Sequence, residues 1–120
     1  MKKIEAIIRQ EKLEAVKLAL EKKGIVGMTV TQVSGRGRQK GIALQWRAGE
    51  YRVDLLPKVK IEIVLGDDEC QIAIDAICQI AKTGKEGDGM IFVLPVENAV
   101  RVRTGDNGVI CGKNNIQGKK

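Results

Sequence analysis

From Lys3 to Arg9 the side chains alternate, with Ile4, Ala6 and Ile8 on one side and Glu5, Ile7 and Arg9 on the other. A period of two with one wholly apolar side predicts a strand. The period changes over Glu11 to Lys23, where Leu13, Val16 and Leu20 share a helical face flanked by Ala15, Leu18 and Ala19. Lys22 and Lys23 suit the negative end of a helix dipole, and Gly24 supplies the stop. Gly27 to Val33 is β-branched and alternating, which predicts a second strand. Val59 to Leu65 predicts a third, with Val59, Ile61, Ile63 and Leu65 on one side and Pro57 at its beginning.

Asp67 and Asp68 then offer an N-cap. Cys70, Ala73, Ile74, Ile77, Ile80 and Ala81 recur at intervals of three and four, predicting a second helix that Gly84 ends. Met90 to Leu94 is a short continuous apolar run, expected to be a buried strand. Val100 to Arg103 alternates again and predicts a short further strand. From Asp106 the chain is Gly, Asn and Lys with little to bury, expected to be a mobile tail over residues 106–120. The order is β-α-β, a long loop, then β-α-β: an α+β, ferredoxin-like βαββαβ domain over residues 1–105. Ile7, Val33 and Val64 fall on the sheet face that neither helix covers, so the chain is expected to form a homo-oligomer.

Between the second and third strands, about 18 residues follow neither period, a length more often functional than accidental. Gly35 to Lys60 carries Arg36, Arg38, Lys40, Arg47, Arg52, Lys58 and Lys60 against Glu50 and Asp54, which is most of the net +6 charge. Two of the three aromatics, Trp46 and Tyr51, lie there too. Clustered cations imply a localised anion site with polyanionic partners such as phosphates or nucleotides. Cys70, Cys78 and Cys111 make an odd set without CxxC spacing, and there is no His, which argues against disulfide frameworks and common zinc sites. Cys70 and Cys78 are expected to be buried small apolar groups. No apolar run approaches a membrane span, and the expectation is a cytoplasmic protein.

Three features suit phosphate. Gly84-Lys85-Glu86-Gly87-Asp88-Gly89 can turn successive N–H groups toward an anion, although it is neither a Walker A motif nor a dinucleotide fingerprint. Arg101 and Arg103, alternate residues of a strand, would project together about 7 Å apart. A charged edge strand that discourages aggregation accounts for that pair equally well. Gly35-Arg36-Gly37-Arg38-Gln39-Lys40-Gly41 interleaves glycines with cations at the base of the long loop, as an anion clamp or a solvated turn. No nucleophile has an evident base and no paired carboxylates stand at a telling spacing, so binding without turnover is expected.

The chain resembles the PII signal-transduction family of nitrogen regulators from Met1 to about Thr104. The resemblance is carried by MKKIEAIIR, GMTVTQV, GRQKG, the Glu50-Tyr51 pair, DLLPKVKIEIV, TGKEGDGMIFVLPVE and VRVRTG. It identifies the long loop (about 37–55) with that family's T-loop and residues 82–90 with its B-loop. It implies a homotrimer with three clefts between subunits where ATP and ADP compete. On that pattern Thr29 and the backbone near Val64 meet the adenine. Gly35, Gly37 and Arg38 lie toward the ribose and phosphates, and Gly87, Asp88, Gly89, Arg101 and Arg103 hold the phosphates. With ATP and magnesium, 2-oxoglutarate would bind among Gln39, Lys40, Gly41 and Lys58, Gln39 touching the metal and Lys58 pairing a carboxylate.

The resemblance further implies that the ligands choose among T-loop conformations and that the loop tip regulates an ammonium transporter or nitrogen-assimilation enzymes, reaching a membrane only through such a partner. Trp46 and Arg47 would make partner contact, and Tyr51 matches a tyrosine that some members carry uridylylated. Met90 departs from a frequent Lys, Arg36 from a frequent Phe, and Gln10-Glu11 from a frequent Pro-Phe. Met90 motivates the alternative of a divergent sensor of AMP or cyclic AMP. An RNA-binding role on this fold is disfavoured because the strands carry no aromatic except Phe92.

Overall fold

The computed structural model describes residues 1–37, 42–46, 49–53 and 55–107, with the backbone alone for 42–46 and 49–53. Its elements are β1 (Lys2–Arg9), a 3-10 turn (Gln10–Lys12), α1 (Leu13–Lys22), β2 (Thr29–Gly35), β3 (Ile42–Trp46), β4 (Gly49–Val53), β5 (Leu56–Leu65), α2 (Asp67–Ala81) and β6 (Gly89–Pro95). β2, β5, β1 and β6 form one antiparallel sheet in that order. This is the ferredoxin-like α+β arrangement expected from the alternation of periods.

The core lies between the sheet and the two helices. Ile4, Ala6 and Ile8 of β1 and Val59, Ile61, Ile63 and Leu65 of β5 face Val16 and Leu20 of α1 and Cys70, Ala73, Ala76, Ile77 and Ala81 of α2, all buried. Aliphatic side chains fill it, as the near absence of aromatics requires. The other face is open. Ile7, Val33 and Val64 are half-buried there, and the pairing Ile7↔Met90, Glu5↔Phe92 and Lys3↔Leu94 adds Met90, Phe92 and Leu94 to the same face, exposed by 61%, 47% and 39%. At its middle Lys3 bridges Glu5 (3.2 Å) and Glu62 (2.8 Å). That ammonium, hydrogen-bonded first to Glu62, has its pKa raised, and the pKa of Glu62 is lowered in return.

Several boundaries depart from the sequence expectations. β2 runs from Thr29 to Gly35, two residues later than the alternation suggested. β5 starts at Leu56 and holds Pro57 inside it. Pro57 is tolerated because β5 pairs there only with Ser34 of β2, and its pairing with β1 begins at Lys58. The cap of α2 is the Gly66 backbone, and Asp67 and Asp68 sit in its first turn. Asp67 meets the N-terminal amine at 3.2 Å, and both acids suit the positive end of the helix dipole. Cys78 is exposed, unlike Cys70, because α2 turns it away from the core.

The long loop contains a hairpin: β3 and β4 pair as Ile42↔Val53, Leu44↔Tyr51 and Trp46↔Gly49. The stretch that follows neither period clearly thus holds two strands, and Trp46 and Tyr51 join Phe92 as strand aromatics. Val100 to Arg103 is not a strand. A lone bridge joins Val100 to Asn107 across a turn, with Arg101 N–H donating to the Asp106 carbonyl at 2.8 Å and Gly105 N–H to the Arg101 carbonyl at 2.7 Å. Asp106 and Asn107 are therefore tied back to the domain, and the rest of the expected tail, with Cys111, lies outside the described residues. Among the described residues no helix is long and apolar enough to cross a membrane.

Gly89 begins β6 against Ile8 with φ of 121°, and a Cβ there would stand 1.9 Å from the Ile7 carbonyl oxygen. Backbone cannot yield as a side-chain tip can. Gly89→Ala is expected to lower stability by roughly 2 kcal/mol or more, seen as a lower midpoint in urea denaturation.

Candidate functional site

The glycine loop, residues 82–88, leaves the end of α2 and rejoins the sheet at Gly89. Gly84 and Gly87 take φ of 87° and 95°, which folds the loop back on itself. Inside the turn lies the Asp88 carboxylate. The Thr83 N–H donates to it at 2.8 Å, the Gly84 N–H at 3.0 Å and the Thr83 hydroxyl at 2.5 Å. From the sheet, Arg9 Nε donates to Asp88 Oδ1 at 3.2 Å and Arg9 Nη2 to the Glu86 carbonyl at 2.7 Å. The Lys58 ammonium donates to the Gly87 carbonyl. The Lys85 N–H closes the first half of the loop onto the Thr83 hydroxyl at 3.1 Å.

Sheet register explains why these groups meet. Arg9 and Lys58 are direct partners across β1 and β5, both on the open face, and Gly89 pairs with Ile8 beside them. Gly35 closes β2 opposite Leu56 at the same end of the sheet, and a Cβ on it would lie 3.7 Å from Lys58 Cγ. One end of the sheet thus gathers Gly35, Lys58, Gly87, Asp88 and Gly89 from the expected set, with Gly37 two residues past Gly35.

Other expected residues lie elsewhere. Thr29 opens β2 opposite Glu62, and Val64 pairs with Lys3. Six residues of strand separate Thr29 from Gly35, roughly 20 Å. Past β6 the chain leaves the sheet at the far end, where the Val96 N–H meets the Met1 carbonyl, and then reaches the turn bearing Arg101 and Arg103. Because that segment is a turn, the strand geometry expected to aim the two guanidiniums together does not apply. Arg38, Gln39, Lys40, Gly41 and Arg47 lie outside the described residues, as do the side chains of Trp46 and Tyr51.

Arg9 and Thr83 are the residues that sequence reasoning missed. A cation on the polar side of the last residue of a strand, and a Thr five residues before an Asp in a glycine loop, were the available signals. No group of described acidic, Cys or His residues is arranged to hold a metal ion.

The Thr83 hydroxyl first, then its N–H, the Gly84 N–H and Arg9 hold the Asp88 carboxyl well below the usual carboxylate range, against the opposing effect of partial burial. A lowered folded-state value means that this stabilisation is complete above the unfolded value, about 3.9, and is lost as pH falls toward the folded one. A carbon-detected NMR titration should therefore place the Asp88 midpoint below those of exposed aspartates. Thr83→Val should raise it more than Arg9→Met does.

The family model of the nitrogen regulatory protein P-II matches residues 1–106. The chain is 59% identical over 109 residues to the nitrogen regulatory protein P-II of Bradyrhizobium diazoefficiens, covering 91% of this chain and 97% of that protein. It is 58% identical to that of Azospirillum brasilense, over 90% of this chain and 96% of the relative. It is also 56% identical to the nitrogen regulatory protein P-II 2 of Methanothermobacter thermautotrophicus, covering 90% and 94%. Matched in this way over residues 1–106, the chain belongs to the nitrogen regulatory protein P-II family.

Proposed function

We propose that this protein is a signalling sensor of nitrogen, carbon and energy status. It binds ATP or ADP, together with 2-oxoglutarate, in clefts between the subunits of a homotrimer and acts on target proteins through its long loop. The observation that carries this reading is the division of the site residues between two ends of one sheet. Gly35, Gly37, Lys58 and Gly87 to Gly89 gather at one end, and Thr29 and Val64 lie toward the other. A cleft containing both sets forms where one end of a copy meets the opposite end of the next. The uncovered sheet face, with Met90, Phe92 and Leu94 exposed, supplies apolar surface for such an assembly.

In that cleft the glycine loop offers backbone N–H groups to the phosphates, Arg101 and Arg103 supply guanidiniums from the neighbouring copy, and Arg38 adds a cation at the base of the long loop. Lys58 stands at the loop and pairs a carboxylate of 2-oxoglutarate, with Lys40 and Gly41 beside it. Magnesium is held by the ligands and by the Gln39 amide oxygen, a hard donor suited to it. Trp46 and Arg47 of the long loop meet the target, an ammonium transporter or a nitrogen-assimilation enzyme, and Tyr51 is a place for modification. The role is regulatory and cytoplasmic, exercised by protein contact without turnover.

Calorimetry should find ATP and ADP binding near micromolar affinity, with ATP binding strengthened by 2-oxoglutarate and magnesium together and the reverse coupling equal in size. Arg103→Ala should weaken ATP binding about ten-fold. No adenine-nucleotide binding would sink the reading. AMP or cyclic AMP binding tighter than ATP would favour a divergent adenylate sensor instead, to which the exposed thioether of Met90 at the loop's exit points.

Sedimentation should give three times the chain mass. Phe92→Arg, which places a charge on the open face, should yield monomers that have also lost nucleotide binding. A monomeric wild type that still binds ATP would contradict the shared cleft.

A further inference from the structure

We infer that Arg9, acting with Lys58, is a positioning residue that aims the amides of the glycine loop at an anion, and that the Asp88 carboxylate works from inside the loop and does not itself meet that anion. The inference rests on the phosphate-binding reading above and adds to it a mechanism for shaping the loop. A trans peptide is planar, so its C=O and N–H point in opposite directions. No peptide bond here is cis. Arg9 Nη2 holds the Glu86 carbonyl, which turns the Gly87 N–H away from the sheet cation. Lys58 holds the Gly87 carbonyl, which turns the Asp88 N–H away in the same manner. Among the described residues the Gly87 N–H meets no acceptor, and the Asp88 N–H faces the Lys85 carbonyl across the turn at residues 86 and 87 without a close hydrogen bond. Two successive outward N–H groups form the concavity in which backbone binds anions.

The loop's other amides have a different use. Those of Thr83 and Gly84 are taken by the Asp88 carboxylate, so the first half of the loop already encloses an anion of its own. Arg9 couples the halves, because one guanidinium spans Asp88 Oδ1 and the Glu86 oxygen. A planar fork can do this; an ammonium, a point charge, cannot hold both acceptors in fixed geometry. Register places Arg9 for the purpose, opposite Lys58 and one residue past the Ile8↔Gly89 pair.

The sign of one substitution separates this inference from simple electrostatics. Asp88→Ala removes a negative charge from an anion site, so charge alone predicts tighter ATP binding. Loss of the internal clip predicts weaker binding by about ten-fold, while the affinity for adenosine, which has no phosphate, stays unchanged. Arg9→Lys keeps the charge and loses the bridge, and should weaken ATP but not adenosine. The double variant should bind ATP no worse than the weaker single one, since both act on one element. Thr83→Val provides the same test if Asp88→Ala does not fold.

Calorimetry with ATP and adenosine on the full chain, with and without these substitutions, decides the matter. Wild-type protein that takes up no ATP overturns both readings. Wild-type binding with Asp88→Ala equal or tighter, or with Arg9→Lys indistinguishable from wild type, overturns the positioning role alone.

Discussion

The candidate site depends on one contact: a carboxylate folded into its own loop. Asp88 takes two amides and a hydroxyl from Thr83 and Gly84 and is met from the sheet by Arg9. A short glycine-containing segment pays a large entropy to hold one shape, and few apolar contacts are available at this exposed edge to offset it. Charge-assisted hydrogen bonds are the strongest substitute a surface loop can recruit. The loop is thereby joined to β1 through Arg9 and to β5 through Lys58, so its shape follows the register of the two central strands.

That dependence explains how a plain fold positions a site. In the order β2-β5-β1-β6, the two central strands carry the core on one face and, apart from Ile7 and Val64, charged residues on the other. Every second residue of β1 and β5 thus fixes the helices, and the residues between them are free for chemistry. Arg9 and Lys58 end the charged rows where α2 delivers its loop. The two helices need only cover the core face, and α2 enters without a side-chain cap, its first turn holding three acids that suit the dipole.

Much of this was legible in the residues. The periods of two and of 3.6 placed both helices and three strands of the main sheet, because one apolar core imposes them. Met90 to Leu94 was placed as a buried run, but β6 is an edge strand on which Met90, Phe92, Val93 and Leu94 are exposed. Boundaries moved where a rule was local: Pro57 belongs to a strand since one of its sides is unpaired there, and Gly66 took the cap that Asp67 and Asp68 seemed built for. The β3–β4 hairpin was missed because the sequence between its strands, Arg47-Ala48, is not the Asn-Gly type of dipeptide that marks tight hairpin turns. Val100 to Arg103 misled in the opposite sense, with an alternation that no neighbouring strand completes. The glycine loop was recognised by its composition. Arg9 was not, since its meaning comes from a strand partner and a loop 79 positions away in the chain.

The open face holds a further lesson in the small square of charge at its centre. Lys3 binds Glu5 and Glu62, and Lys60 is near enough to act on Glu62 as well. Two ammoniums and two carboxylates cancel, so covering this patch strands no net charge in a dry environment. The order of charges also makes the patch self-indexing: Glu5 and Glu62 stand side by side as cross-strand partners between Lys3 and Lys60, so a covering surface displaced by one strand step would meet a different sign. A flat apolar sheet can be stacked in many ways, whereas this one admits few.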